Sequence, residues 1–145
     1  LKNTLSKFGS VSRGVCEVEN HKLTSIIERT KILEQGSQII DEDSGVILAP
    51  DTAVSMNFWI CNASIFKYIE TYFATFLGQP ENLDKSEIYL PFVTQEMMEN
   101  GHISVEVIDA QSTWFGVTYY DDKKEAVSTL ADLTKNGAYP TPLWR

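Results

Sequence analysis

Apolar and polar positions change rhythm several times along the chain, and each rhythm predicts an element. Val11 to Glu19 is strand-like, Glu19-Asn20-His21-Lys22 is a polar turn, and Leu23 to Arg29 is strand-like again, which is a hairpin pattern. Ser37 to Asp41 and Gly45 to Leu48 predict a second short hairpin around Glu42-Asp43-Ser44, and Ala49-Pro50-Asp51 breaks the chain. From Val54 to Ile60 the apolar residues run on instead of alternating, as in a largely buried strand. Asn62 to Leu77 is an amphipathic helix pattern, with Ile65, Phe66, Ile69, Phe73, Phe76 and Leu77 recurring at three- and four-residue spacing. Asn62 or Ser64 can cap it, and Gly78-Gln79-Pro80 ends it. A polar loop over 79–88 leads to a second helix from about Pro91 to Asn100. Ile103 to Ile108 and Thr113 to Tyr119 read as strands. Asp121 or Asp122 then caps a third helix with Ala126, Val127, Leu130 and Leu133 as its buried stripe and Gly137 as its stop. The extended tail Tyr139 to Trp144 packs its aromatics back on the body. Strands and helices mix without a strict βαβ rhythm. The pattern predicts an α/β fold, a mixed β-sheet flanked by helices, in a single domain over 1–145.

Composition narrows the function. The 145 residues are 43% hydrophobic and 22% charged, which is ordinary globular usage. No apolar run approaches the ~20 residues of a bilayer span, so no membrane partner is expected. A net charge of -8 argues against nucleic acid. Residues 1–40 nevertheless carry +2 and residues 41–145 carry -10, so an anion such as a phosphate belongs with the first stretch, if these cations are more than solvated surface. Cys16 and Cys61 lie in apolar runs and read as reduced, buried thiols of a cytoplasmic protein, with one disulfide as the alternative. The chain opens on Leu1 with no secretory leader, and is expected to be a piece of something longer.

The first hairpin holds the most specific chemistry. If Glu19 faces Leu23, paired numbers sum to 42, so Gly14 faces Glu28 and Arg13 faces Arg29. Gly14, Cys16, Val18 and Ile26 then share a face with Glu28. A carboxylate on an apolar face needs hydrogen-bond donors, and sugar hydroxyls supply them. Gly14 leaves room for a ligand to approach the backbone, and the two arginines on the adjoining face can hold a phosphate. A slip of one residue instead turns Glu28 to solvent or pairs it with Arg13 as a surface ion pair.

These residues resemble the sugar-1-phosphate nucleotidyltransferases (nucleotide-sugar pyrophosphorylases). Gly14-Val-Cys16, the polar turn and Leu23-Thr-Ser-Ile-Ile-Glu-Arg-Thr-Lys31 are similar to that family's Gly-Val-Val strand, turn and Glu-Lys-Pro strand. Val54 to Ile60 is similar to its next buried strand. Ser86-Glu-Ile-Tyr-Leu-Pro91 resembles its Gly-Glu-Leu/Glu-Ile segment, and Trp114-Phe-Gly-Val-Thr-Tyr119 falls where it writes Trp-x-Asp-x-Gly-Thr. The resemblance runs from about Ser10 to Leu130. It implies a partial Rossmann-like nucleotidyltransferase fold lacking the N-terminal nucleotide-binding half. It also implies a reaction in which NTP and sugar 1-phosphate give NDP-sugar and pyrophosphate, by positioning and by charge neutralisation from Mg²⁺ and basic groups. Glu28 would accept sugar hydroxyls, Arg29 would hold the sugar-side phosphate, Gly14 would lie against the ring and Asn57 near it, with Arg13 a further phosphate contact. The family's glycine-rich nucleotide loop, with its basic residue and first metal aspartate, belongs upstream of Ser10. NTP and Mg²⁺ are therefore expected only with a longer parent, and this segment alone is expected to be inactive. The second metal aspartate aligns with Gly116, which has no ligating side chain; Asp121 and Asp122 lie close enough to substitute, yet serve more simply as helix caps.

Other candidates are plainer. Asp41-Glu42-Asp43 lacks metal-loop spacing, and His21 and His102 read as surface residues. Trp114 reads as core, or as a stacking partner for a sugar. Gly116 favours a rival reading, a non-catalytic sugar-phosphate-sensing or subunit-contact module. A half without its other half would expose apolar surface and form a homo-oligomer.

Overall fold

Asn20 and His21 both have positive φ, 49° and 65°, the backbone of a two-residue type I′ turn whose twist matches the strands it joins. It links β1 (Val11–Glu19) to β2 (Lys22–Gln35). Gly36, at φ 64°, opens the equally short turn to β3 (Gln38–Asp41), and β4 (Val46–Leu48) follows after Gly45. β5 (Val54–Ser55) returns beside β1, pairing Ser55 with Gly14 and Val54 with Val15. The sheet runs β4-β3-β2-β1-β5. It is antiparallel, not mixed as the element order suggested. Tight turns make antiparallel neighbours, whereas a parallel pair needs a crossover of about a dozen residues. Three helices complete the α/β fold: α1 (Ile65–Leu77), α2 (Leu90–Glu99) and α3 (Asp122–Lys135). This computed structural model describes residues 1–80, 84, 86–111 and 114–142; Thr113, Trp144 and part of the 79–88 loop lie outside them.

Contacts gather into two compact units. One comprises Leu1–Val11, Lys31–Pro50 and Ala110–Arg145. Its buried apolar residues are Leu1, Val11, Ile32, Ile39, Leu48 and Ala126. Of the stripe expected on α3 only Ala126 is buried, and Val127 and Leu130 are exposed. The helix stops as expected at Gly137, where the Gly137 and Ala138 amides return to Thr134 O and Leu133 O. Residues 114–119 form no strand.

The other unit comprises Ser12–Thr30 and Asp51–Asp109. Leu23, Ile26, Pro91, Val93 and Met97 are its buried apolar residues. The strand expected over Val54–Ile60 stops at Ser55. Asn57 turns the chain at φ 54°, and Phe58 and Ile60 are each 86% exposed. An apolar run shows that burial suits it without showing what does the burying. The same holds for α1, which forms where expected but buries no residue and leaves Phe66 70% exposed. Ile103–Ile108 makes a single bridge, Lys22 to Glu106, flanked by Leu23 N–H to Val105 O (3.0 Å) and Val107 N–H to His21 O (2.7 Å). Both cysteines are free thiols, so no disulfide links them. Cys16 is half-buried, and Cys61 is exposed, contrary to the buried position its apolar run suggested. No described helix is long and apolar enough to cross a membrane.

Candidate functional site

The two-residue turn sets Glu19 across from Lys22, one residue tighter than the pairing with Leu23 expected from sequence. The Thr24 hydroxyl on Glu17 O (3.1 Å) keeps that count, at a sum of 41. The Ser12 hydroxyl donates to Thr30 O (3.2 Å), and Ile26 Cδ1 stands 3.1 Å from where a Gly14 Cβ would be. Leu23 and Ile26, three residues apart, are both buried. The Ile26 amide donates at 2.8 Å to Gln95 Oε1 on α2. Gly14 and Ile26 therefore meet on one face, as the pairing expected from sequence has them.

Glu28 and Arg13 form a half-buried pair of opposite charges. Glu28, Arg13 and Arg29 are each neither fully buried nor exposed. Burial pushes the Glu28 carboxyl above its ordinary range, and the Arg13 charge pulls it partly back. Burial likewise lowers Arg13 from its ordinary value while Glu28 supports its charge. The Arg13 guanidinium also donates through Nη1 to Ser12 O at 2.6 Å. Glu28 thus stands partly out of solvent beside the Arg13 guanidinium, a pairing that suits polyol hydroxyls and a phosphate.

Two expected site residues sit differently from the reading that chose them. Gly14 is buried, and the space its missing side chain leaves is filled by Ile26 Cδ1, Pro91 Cγ (3.2 Å) and Ser55 Cβ (3.3 Å). The expectation that Gly14 opens room for a sugar ring is therefore corrected. The glycine is needed there so that α2 and β5 can close on β1. Asn57 is exposed, in a left-handed turn where its amide donates to Ser55 Oγ at 3.2 Å.

The 86–91 segment, quoted above for its resemblance, lies close to the hairpin. Tyr89 lies within the fields of Glu87 and Glu28. Its phenol is pushed up first by the Glu87 charge, then by a hydrogen bond to Glu87, by burial and by Glu28. Its ring meets Phe92 edge-on at 5.7 Å. Pro91, in the first turn of α2, packs over Gly14, which ties the segment to the hairpin. A tyrosine two residues before a proline that opens a helix was the available signal for this placement.

A cleft of about 250 Å³ lies elsewhere in the same unit, between α1 and α2, and none of the expected site residues lines it. Tyr68 stacks on His102 there, with centroids 4.8 Å apart, beside Tyr72 and Glu96. Gly116, Asp121 and Asp122 belong to the other unit. No protein-family model matches this chain, and no curated protein matches it in sequence.

Proposed function

We propose that this chain is the sugar-phosphate-binding part of a sugar-1-phosphate nucleotidyltransferase, with the Rossmann-like arrangement and cytoplasmic setting that such an enzyme has. The observation that carries the reading is Glu28, half-buried between Arg13 and Tyr89 on the strand that follows the Gly-Val-Cys hairpin. In this reading Glu28 accepts sugar hydroxyls, Arg29 and Arg13 take the phosphate, and Asn57 borders the ring. Gly14 contributes by packing. The nucleotide, its Mg²⁺ and the in-line attack on the α-phosphorus belong to a longer parent. The segment alone binds without turning over.

Isothermal titration with α-D-glucose 1-phosphate and N-acetylglucosamine 1-phosphate tests it. Weak binding is expected with at least one of them, and Glu28→Gln should lower it about tenfold, the size of a lost charged hydrogen bond. Equal binding by wild type and Glu28→Gln would remove the site. A second reading, a subunit-contact module, is favoured by one observation: α1 presents Phe66 and Phe73 to solvent along a face that nothing in its own unit buries.

A further inference from the structure

The nucleotidyltransferase resemblance implies a metal aspartate at position 116, and this inference rests on the proposed function to that extent. The described residues do not fit the metal. Gly116 carries no donor, and a Cβ there would lie 2.6 Å from Trp114 Cζ2 and 3.1 Å from Cη2, so the indole already lies where a carboxylate would begin. Asp122, the nearest substitute, is engaged on both oxygens. Oδ2 accepts the amides of Thr118 (3.1 Å) and Tyr119 (2.8 Å), and Oδ1 accepts the Ser6 hydroxyl (3.1 Å). Three of its roughly four lone-pair sites are taken. It does not cap α3 either, because the cap position is Asp121, which makes no side-chain cap bond. Among the described residues no group of three His, Cys, Asp or Glu side chains comes together as a metal site. Magnesium demands near-octahedral oxygen donors at 2.0–2.1 Å, about what a lone exposed Asp121 cannot organise.

The same residues have another use. Tyr119 donates its hydroxyl to Ser10 O at 2.8 Å, and its phenol lies over Gly9, where any Cβ would overlap it. Ser6 reaches Asp122, and Lys7 pairs with Glu125 at 3.2 Å on α3. We infer that the 114–122 turn is a structural clasp in place of a metal loop: Trp114 seats on Gly116, Asp122 fixes the turn, and Tyr119 holds residues 6–10 at the start of α3. Any catalytic metal of the parent is held by residues outside this turn.

Manganese uptake followed by electron paramagnetic resonance, together with thermal unfolding, tests the inference on the chain as it stands. Wild type should show no saturable Mn²⁺ site tighter than about 1 mM. Gly116→Asp should lower Tm by about 5 °C and gain no site. The loss should shrink when Trp114→Ala is added, because the clash is then gone. If Gly116→Asp does not fold, Gly116→Ala brings the same Cβ against the indole and serves the same comparison. A saturable Mn²⁺ site in wild type that Asp122→Asn abolishes would overturn the inference, as would a Gly116→Asp or Gly116→Ala protein with unchanged Tm. Sugar 1-phosphate titrations run without metal read the Glu28 cluster separately, so failure there leaves this result interpretable.

Discussion

Gly14 and Gly116 stand in two different units, and each gives up a side chain so that the protein can fill the space itself. At Gly14 the occupants are aliphatic and come from three elements: Ile26, Pro91 and Ser55. At Gly116 the occupant is the Trp114 ring two residues away. The surroundings differ more than the glycines do. On the same hairpin as Gly14, Glu28 and Arg13 are half-buried and electrostatically coupled. Beyond Gly116, the ionisable neighbour Asp122 is taken up by backbone amides and a serine. A glycine in a motif therefore marks close approach without saying by what. What differs is the polar group nearby, a coupled pair of charges at one glycine and an aspartate held by amides and a hydroxyl at the other.

The largest effect should come from refilling the joint that three elements make. Gly14→Val pushes on three neighbours already within 3.1–3.3 Å of a Cβ, and should lose about 2 kcal/mol in urea unfolding. A loss under about 0.5 kcal/mol would mean that the joint has room, and would restore the case for a ligand there. Next comes Glu28→Gln, with its roughly tenfold loss of sugar 1-phosphate affinity. Tyr89→Phe should weaken the same binding about threefold, since its hydroxyl is shared with Glu87. An unchanged affinity would take the 86–91 segment out of the site.

A smaller effect lies in pH. The folded Glu28 pKa is raised above its ordinary 4.5, chiefly by burial. The stability this confers is present below 4.5 and is lost as pH climbs through the higher folded value. The urea midpoint of wild type relative to Glu28→Gln should therefore fall between about pH 4 and pH 7, modestly because the group is partly solvated. A difference that rises with pH would mean that Arg13 outweighs burial. The least effect is expected on the clasp's outer rim. Lys7 and Glu125 are 75% and 59% exposed, and Lys7→Ala should change stability by less than about 0.5 kcal/mol.

The hairpin was legible because Asn20-His21 between two strand-like runs restricts the turn. The face shared by Gly14 and Ile26 was legible too. α1, α2 and α3 were legible from periodicity and from stops such as Gly137. Burial was not. Val54–Ile60 and the α1 stripe have the composition of core, yet Phe58, Ile60 and Phe66 meet solvent, because hydrophobicity records a preference and burial needs a partner surface. Of the two caps that the sequence offers, Asp121 or Asp122, the helix begins at Asp122. Its carboxylate points back to Thr118 and Tyr119 instead, a choice between two nearby sets of amides that the residue type leaves open.

The central claim is that phosphorylated sugars meet this protein at Glu28. An ¹H–¹⁵N correlation spectrum titrated with α-D-glucose 1-phosphate and then N-acetylglucosamine 1-phosphate tests it most directly. The account predicts that saturable shifts gather at Arg13, Glu28, Arg29, Asn57 and Tyr89, and vanish in Glu28→Gln. Shifts gathered instead at Tyr68, Tyr72 and His102, around the cleft between α1 and α2, would contradict it.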